Sequence, residues 1–240
     1  MKSLLKMTWM EAKLFLREPV GAFFTLIFPL MYLVLFGTLS GNEPTPMFNG
    51  RRTIDAAIPS LTAMIIGIIG LIAIAITMTT YREKGILRRL RTTPVSPLVV
   101  LAAQVIVMFT MTCLGMLLLI IVGMLFYQAS FEGNALNMLA GFVLSSLSFF
   151  GIGFILASIM PTVRTAQIVG NVLLYPMMFL SGAFFPLDMF PKIVQKIALF
   201  IPLTYVVNLL RGLWFGESWG NHLLDVGVLA GMLLLGTLSL

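Results

Sequence analysis

Residues 81–97, YREKGILRRLRTTPVSP, form a cationic island between two apolar runs that are each long enough to cross a bilayer. Arg82, Lys84, Arg88, Arg89 and Arg91 are basic and Glu83 is acidic. An Arg or Lys held in hydrocarbon costs at least about 2.5–3.5 kcal/mol, so this block must face water. The positive-inside rule assigns that water to the cytoplasm. With 59% hydrophobic and 10% charged residues, the chain departs from the soluble norm of about 45–50% and about 25%. It reads as an integral membrane protein. A helical crossing needs about 20 apolar residues, so 240 residues fit about six crossings and little else. The net charge of +6 sits beside apolar runs, where it sets topology rather than binding nucleic acid. A lone cysteine, Cys113, excludes an internal disulfide.

The pattern predicts an all-α membrane protein forming a single transmembrane domain over 1–240, with spans at 20–39, 58–80, 98–127, 136–160, 166–185 and 222–240. Residues 1–19 read as an interfacial amphipathic helix. Lys2, Lys6, Lys13 and Arg17 fall within about 60° of one another at about 100° per residue, while Trp9, Ala12 and Phe15 spread over another side. The run over 20–39 exceeds the about 7–15 residues of a signal-peptide core, so it is expected to stay as the first crossing. Pro29 should kink it. Gly67 and Gly70 in the second span permit close helix approach, and Gly151 and Gly153 lie mid-helix in the fourth.

Residues 40–57 and 128–135 read as outer loops, 81–97 as a cytoplasmic coupling loop, and 161–165 as a smaller cytoplasmic turn holding Arg164. Over 186–220, Pro186, Pro191 and Pro202 cut the apolar stretches to lengths suited to re-entrant or interfacial helices on the outer side. Lys2, Lys6, Lys13, Arg17, Arg82, Lys84, Arg88, Arg89, Arg91 and Arg164 then lie inside against Glu11, Glu18 and Glu83. Arg51, Arg52, Lys192, Lys196 and Arg211 lie outside against six carboxylates, which puts both termini in the cytoplasm. The last run lacks a basic tail, so a continuation past Leu240 is expected.

No predicted span carries a charged residue near its middle, which disfavours ion-coupled transport. His222 and Asp225, at the edge of the last span, read as headgroup-level residues. The sequence holds no G-x-x-x-x-G-K-[ST], H-E-x-x-H or G-x-S-x-G and no His/Cys cluster with metal spacing, so nothing supports catalysis or nucleotide binding by this chain. Within 82–91, Gly85 can open a short helix with Ile86, Leu87 and Leu90 on one face and Arg88, Arg89 and Arg91 on the other. Such a knob either docks a soluble partner or is a solvated anchor that only sets topology.

The run Tyr81-Arg82-Glu83-Lys84-Gly85, followed by Leu87-Arg88-Arg89-Leu90-Arg91 and Thr92-Thr93-Pro94, resembles the first cytoplasmic loop of the membrane (permease) subunits of type-2 ABC exporters. Ser181-Gly182-Ala183-Phe184-Phe185-Pro186-Leu187, then Ile201-Pro202-Leu203-Thr204-Tyr205 and Leu210-Arg211, is similar to that family's segment before its last span. The resemblance implies a permease paired with itself or a related subunit, in the bacterial cytoplasmic membrane. An ABC ATPase subunit would dock on 82–91 and on the N-terminal helix. Any ATP and Mg²⁺ would reside on that ATPase, with no cofactor on this chain. Phe184, Phe185, Pro186, Pro202 and Tyr205 would belong to an outer gate. Polysaccharide-exporting relatives carry a Leu-Gly-x-x-Trp before the first span, where this chain has Leu16-Arg17-Glu18-Pro19-Val20-Gly21. The chain therefore looks more like the drug- and lipid-exporting branch, with polysaccharide export or an ATPase-free channel or assembly subunit as alternatives.

Overall fold

The computed structural model describes residues 2–17, 19–40, 44–45, 50–86 and 97–238. Its elements are α1 (Lys2–Leu16), then α2 (Pro19–Ala22), a π turn (Phe23–Ile27) and α3 (Phe28–Ser40) in one line. A two-stranded antiparallel hairpin follows, β1 (Pro44–Thr45) with β2 (Arg51–Arg52). Next come α4 (Thr53–Gly67), a second π turn (Ile68–Ala73) and α5 (Ile74–Glu83). The rest is α6 (Pro97–Tyr127), α7 (Ala135–Ile159), α8 (Val163–Leu180), α9 (Lys192–Ala198), α10 (Pro202–Trp214) and α11 (Leu223–Leu238).

Among the described residues, four helices are long and apolar enough to cross a membrane: Thr53–Glu83, Val99–Tyr127, Ala135–Ile159 and Trp219–Leu238. They correspond to the stretches expected over 58–80, 98–127, 136–160 and 222–240, and with them the chain is a multi-pass membrane protein. The bent pair α9 and α10 would make a fifth if it were one span. Phe23–Leu39 is a shorter apolar helix. The stretch expected over 166–185 forms α8, which stops at Leu180 because Gly182 adopts a left-handed φ of 83° and turns the chain.

Pro29 does not simply kink its helix. The N–H of Phe28 reaches the carbonyl of Phe23, widening the turn just upstream of Pro29. A proline lacks an N–H and its ring collides with the carbonyl of residue i−4, so a π turn there relieves the clash while keeping the helix continuous.

The helix Thr53–Glu83 is the centre of the fold and is far more deeply buried than Trp219–Leu238. α4 packs on α3, α6 and α10, and α5 packs on α7 and α8. Small residues set the closest crossings. A Cβ on Gly153 of α7 would lie 2.0 Å from the Gly70 carbonyl oxygen, and one on Gly236 of α11 would lie 2.4 Å from the Gly151 Cα. Without a hydrophobic drive between helices in lipid, such backbone contact supplies the van der Waals attraction that holds them.

Candidate coupling surface and outer gate

α1 lies on α6 with Glu11 and Phe15 buried. Its open side carries Trp9, Met10 and Leu14 together with Lys13 and Arg17, and the Lys13 ammonium sits 5.2 Å from the Trp9 ring centroid. Apolar and basic groups therefore share one outward face, the composition of a helix at a headgroup boundary. The side chains of Lys2 and Lys6 lie outside the described set. Glu11, which in the sequence only interrupts a basic stretch, accepts a hydrogen bond from the Tyr81 hydroxyl.

Burial raises the Glu11 carboxyl above its ordinary value, and the Tyr81 bond opposes that rise only in part. A raised carboxyl binds its proton more tightly in the folded protein, so its contribution is complete below the ordinary value of 4.5. That contribution is lost as pH climbs through the raised value. Docking of α1 should thus loosen as pH rises from the acid side. Glu11→Gln, which keeps an acceptor for Tyr81, should remove that pH dependence. Trp9 fluorescence against pH in the two proteins checks this, and equal slopes would reject it.

The island beginning at Tyr81 starts as helix rather than loop. Arg82 and Glu83 sit on the last turn of α5 and point back at the molecule. The Arg82 Nη1 donates to the Ser158 carbonyl at 2.9 Å, and the Glu83 Oε2 accepts from the Val163 N–H at 2.9 Å. Lys84 is exposed. Gly85 takes a left-handed φ of 65° and closes α5, where it was expected only to open the next helix. Ile86 is half-buried against the core. Leu87, Arg88, Arg89, Leu90 and Arg91 lie outside the described residues.

At the opposite end, the two gate motifs are joined by Arg211. Its Nη2 donates to the Ser60 Oγ of α4 at 2.7 Å and to the Gly182 carbonyl at 2.9 Å, fastening the 181–187 turn to the central helix. Phe184 packs at a tilt against the rings of Tyr32, at 4.8 Å, and Phe179, at 5.2 Å, while Phe185 is exposed and Pro186 is buried. Pro202 starts α10, and the Tyr205 hydroxyl donates to the Leu199 carbonyl at 2.5 Å across a 92° bend between α9 and α10.

Three residues that sequence reasoning did not single out complete this end. Buried Asp55 accepts from the Ser130 N–H at 2.8 Å, the Ser130 hydroxyl at 3.0 Å and the Arg52 Nε at 3.1 Å. Trp214 donates from its indole to the Ser130 carbonyl at 3.0 Å. The signal for Asp55 was its placement three residues after Arg52; Ser130 gave none. His222 and Asp225 are not independent headgroup contacts. The ring lies 2.8 Å from Asp225 through Nδ1 and 3.1 Å from Glu217 through Nε2, beside a polar cavity of about 630 Å³ that Arg51, Asp188 and Arg211 also line.

The family described as "ABC-2 type transporter" matches residues 2–215. The chain belongs to the ABC-2 type transporter family. Similar curated proteins include Nodulation protein J of Rhizobium leguminosarum bv. viciae, 34% identical over 36% of this chain and 33% of that protein. The Probable multidrug ABC transporter permease YbhS of Escherichia coli K12 is 26% identical over 67% of this chain and 43% of its own length. The Putative transport permease ycf38 of Porphyra purpurea is 26% identical over 85% of this chain and 70% of that protein. This ABC-2 family chain thus spans less than half the length of the first two relatives.

Proposed function

We propose that this chain is the transmembrane subunit of an ATP-driven exporter that moves an amphipathic or lipid-like compound outward across the bacterial cytoplasmic membrane. Two copies, or one copy and a related permease, pair in the membrane, and each docks a separate ABC ATPase subunit on α1 and on the part of the cationic loop that carries Arg88, Arg89 and Arg91. Both termini and the Arg82–Ser158 end face the cytoplasm, all six apolar stretches cross, and α9 with α10 forms a re-entrant gate at the exit. Family membership over residues 2–215 supports the permease role, and the absence of a phosphate-binding loop in the sequence is consistent with a separate ATPase.

The observation that carries the pairing is the open face of α8. Gln167, Asn171 and Tyr175 recur at i, i+4 and i+8, with Gln167 and Tyr175 exposed and Asn171 partly so, beside exposed Ile168, Val172 and Phe179. An amide left without a partner in hydrocarbon costs several kcal/mol. Such a stripe is stable only against protein or water, and a path between two copies supplies both. Relatives such as YbhS carry "multidrug" in their names, and a mixed amide and aromatic stripe suits an amphipathic cargo.

Asn171→Cys in a Cys113→Ser background is expected to form an intermolecular disulfide in native membranes. An ATP-binding protein should be retained when the chain is purified in mild detergent. A copy that never cross-links at residue 171 and purifies alone would refute the reading.

A further inference from the structure

Tyr81, Arg82 and Glu83 are consecutive, and each holds a different element. Tyr81 holds α1 through Glu11, Arg82 holds the last turn of α7 through the Ser158 carbonyl, and Glu83 holds the first turn of α8 through the Val163 N–H. The two charges match the ends they meet. A helix carries roughly half a negative charge at its C-terminus and half a positive one at its N-terminus. Arg82 faces the C-terminal carbonyl of α7, and Glu83 faces the N-terminal amide of α8. The turn between them is short and ends in its own cap, since the Thr162 side chain accepts from the Thr165 N–H at 3.2 Å. A displacement of α5 therefore has a direct hold on the start of the helix that carries Gln167, Asn171 and Tyr175.

We infer that Arg82 and Glu83 are positioning residues that transmit movement of the first cytoplasmic loop to α8. Their role is not to make the ATPase contact itself. The inference rests on the exporter reading, because without a moving loop the clasp is only a structural tie. It assigns different tasks to neighbouring charges: Arg88, Arg89 and Arg91 bind, while Arg82 and Glu83 relay. The clasp bonds are exposed, so they can break and re-form within a working cycle more readily than buried ones.

The test uses the full complex reconstituted with its ATPase, carrying Cys113→Ser and Asn171→Cys as a reporter whose maleimide labelling is timed with and without ATP. The swap Arg82→Glu with Glu83→Arg leaves net charge unchanged but sets each charge against the wrong helix end. It should leave ATPase co-purification intact and shrink the ATP-dependent change in labelling by at least about fivefold, the lower end of typical coupling effects. Glu83→Gln, which keeps an acceptor for the Val163 N–H, should retain most of the response. In the chain without ATPase, hydrogen exchange over 158–165 should quicken in the swap and not in Glu83→Gln.

Loss of ATPase co-purification in the swap would make the pair a docking contact and overturn the inference, as would an unchanged labelling response. Should the unaltered chain bind no ATPase while exchange still reports the clasp, it is the exporter reading that fails, and the relay role falls with it.

Discussion

Replacing Arg88, Arg89 and Arg91 together by glutamate is expected to abolish retention of the ATPase subunit on this chain. The three arginines lie within four residues of one another, and a docking partner for them must present acidic groups. Reversal places like charges together, which costs several kcal/mol across an interface, so even about 3 kcal/mol weakens binding by roughly a hundredfold. Co-purification in detergent at low and moderate salt reads this directly. An ATPase retained at unchanged stoichiometry would remove the loop from the interface. Because Arg82 and Glu83 turn inward, the same reversal should leave hydrogen exchange over 158–165 at its normal rate, separating docking from relay.

Asp55→Ala should be the most damaging single substitution at the other end. It strips the acceptor from the Ser130 N–H, the Ser130 hydroxyl and Arg52 at once, and it does so at a site only 4% exposed. A donor left without its acceptor costs about 1–3 kcal/mol, and the loss of a charged acceptor costs more. The consequence should spread, since Ser130 also receives the Trp214 indole, and Trp214 ends α10. Thermal unfolding in detergent should show a large drop for Asp55→Ala, a smaller one for Asp55→Asn and the smallest for Ser130→Ala. An unshifted Asp55→Ala would show that the outer end does not depend on this network.

Much of the architecture was legible because its causes are local or compositional. Apolar runs of bilayer length, cut by prolines and by one arginine-rich block, locate helices without any knowledge of neighbours. The broken stretch after Ser181 could be read the same way, since Gly182 and the prolines act on their own segment. Gly70 was also readable as a close-approach residue, because a missing side chain has few uses in the middle of an apolar helix.

Partners were not legible. Glu11 looked like an interruption in a basic helix, and its meaning lies in Tyr81, seventy positions away. By sequence Arg82 and Glu83 belong with the rest of the coupling loop, whereas in the structure α5 ends against the turn between α7 and α8 and both side chains bond there. From residues alone, then, came the membrane and most of the helical stretches, because burial and charge exact their costs wherever a residue sits along the chain. Only the tertiary structure decided which charges turn outward and which hold the bundle together, because a hydrogen bond depends on a few ångströms between residues whose separation in the chain carries no trace of it.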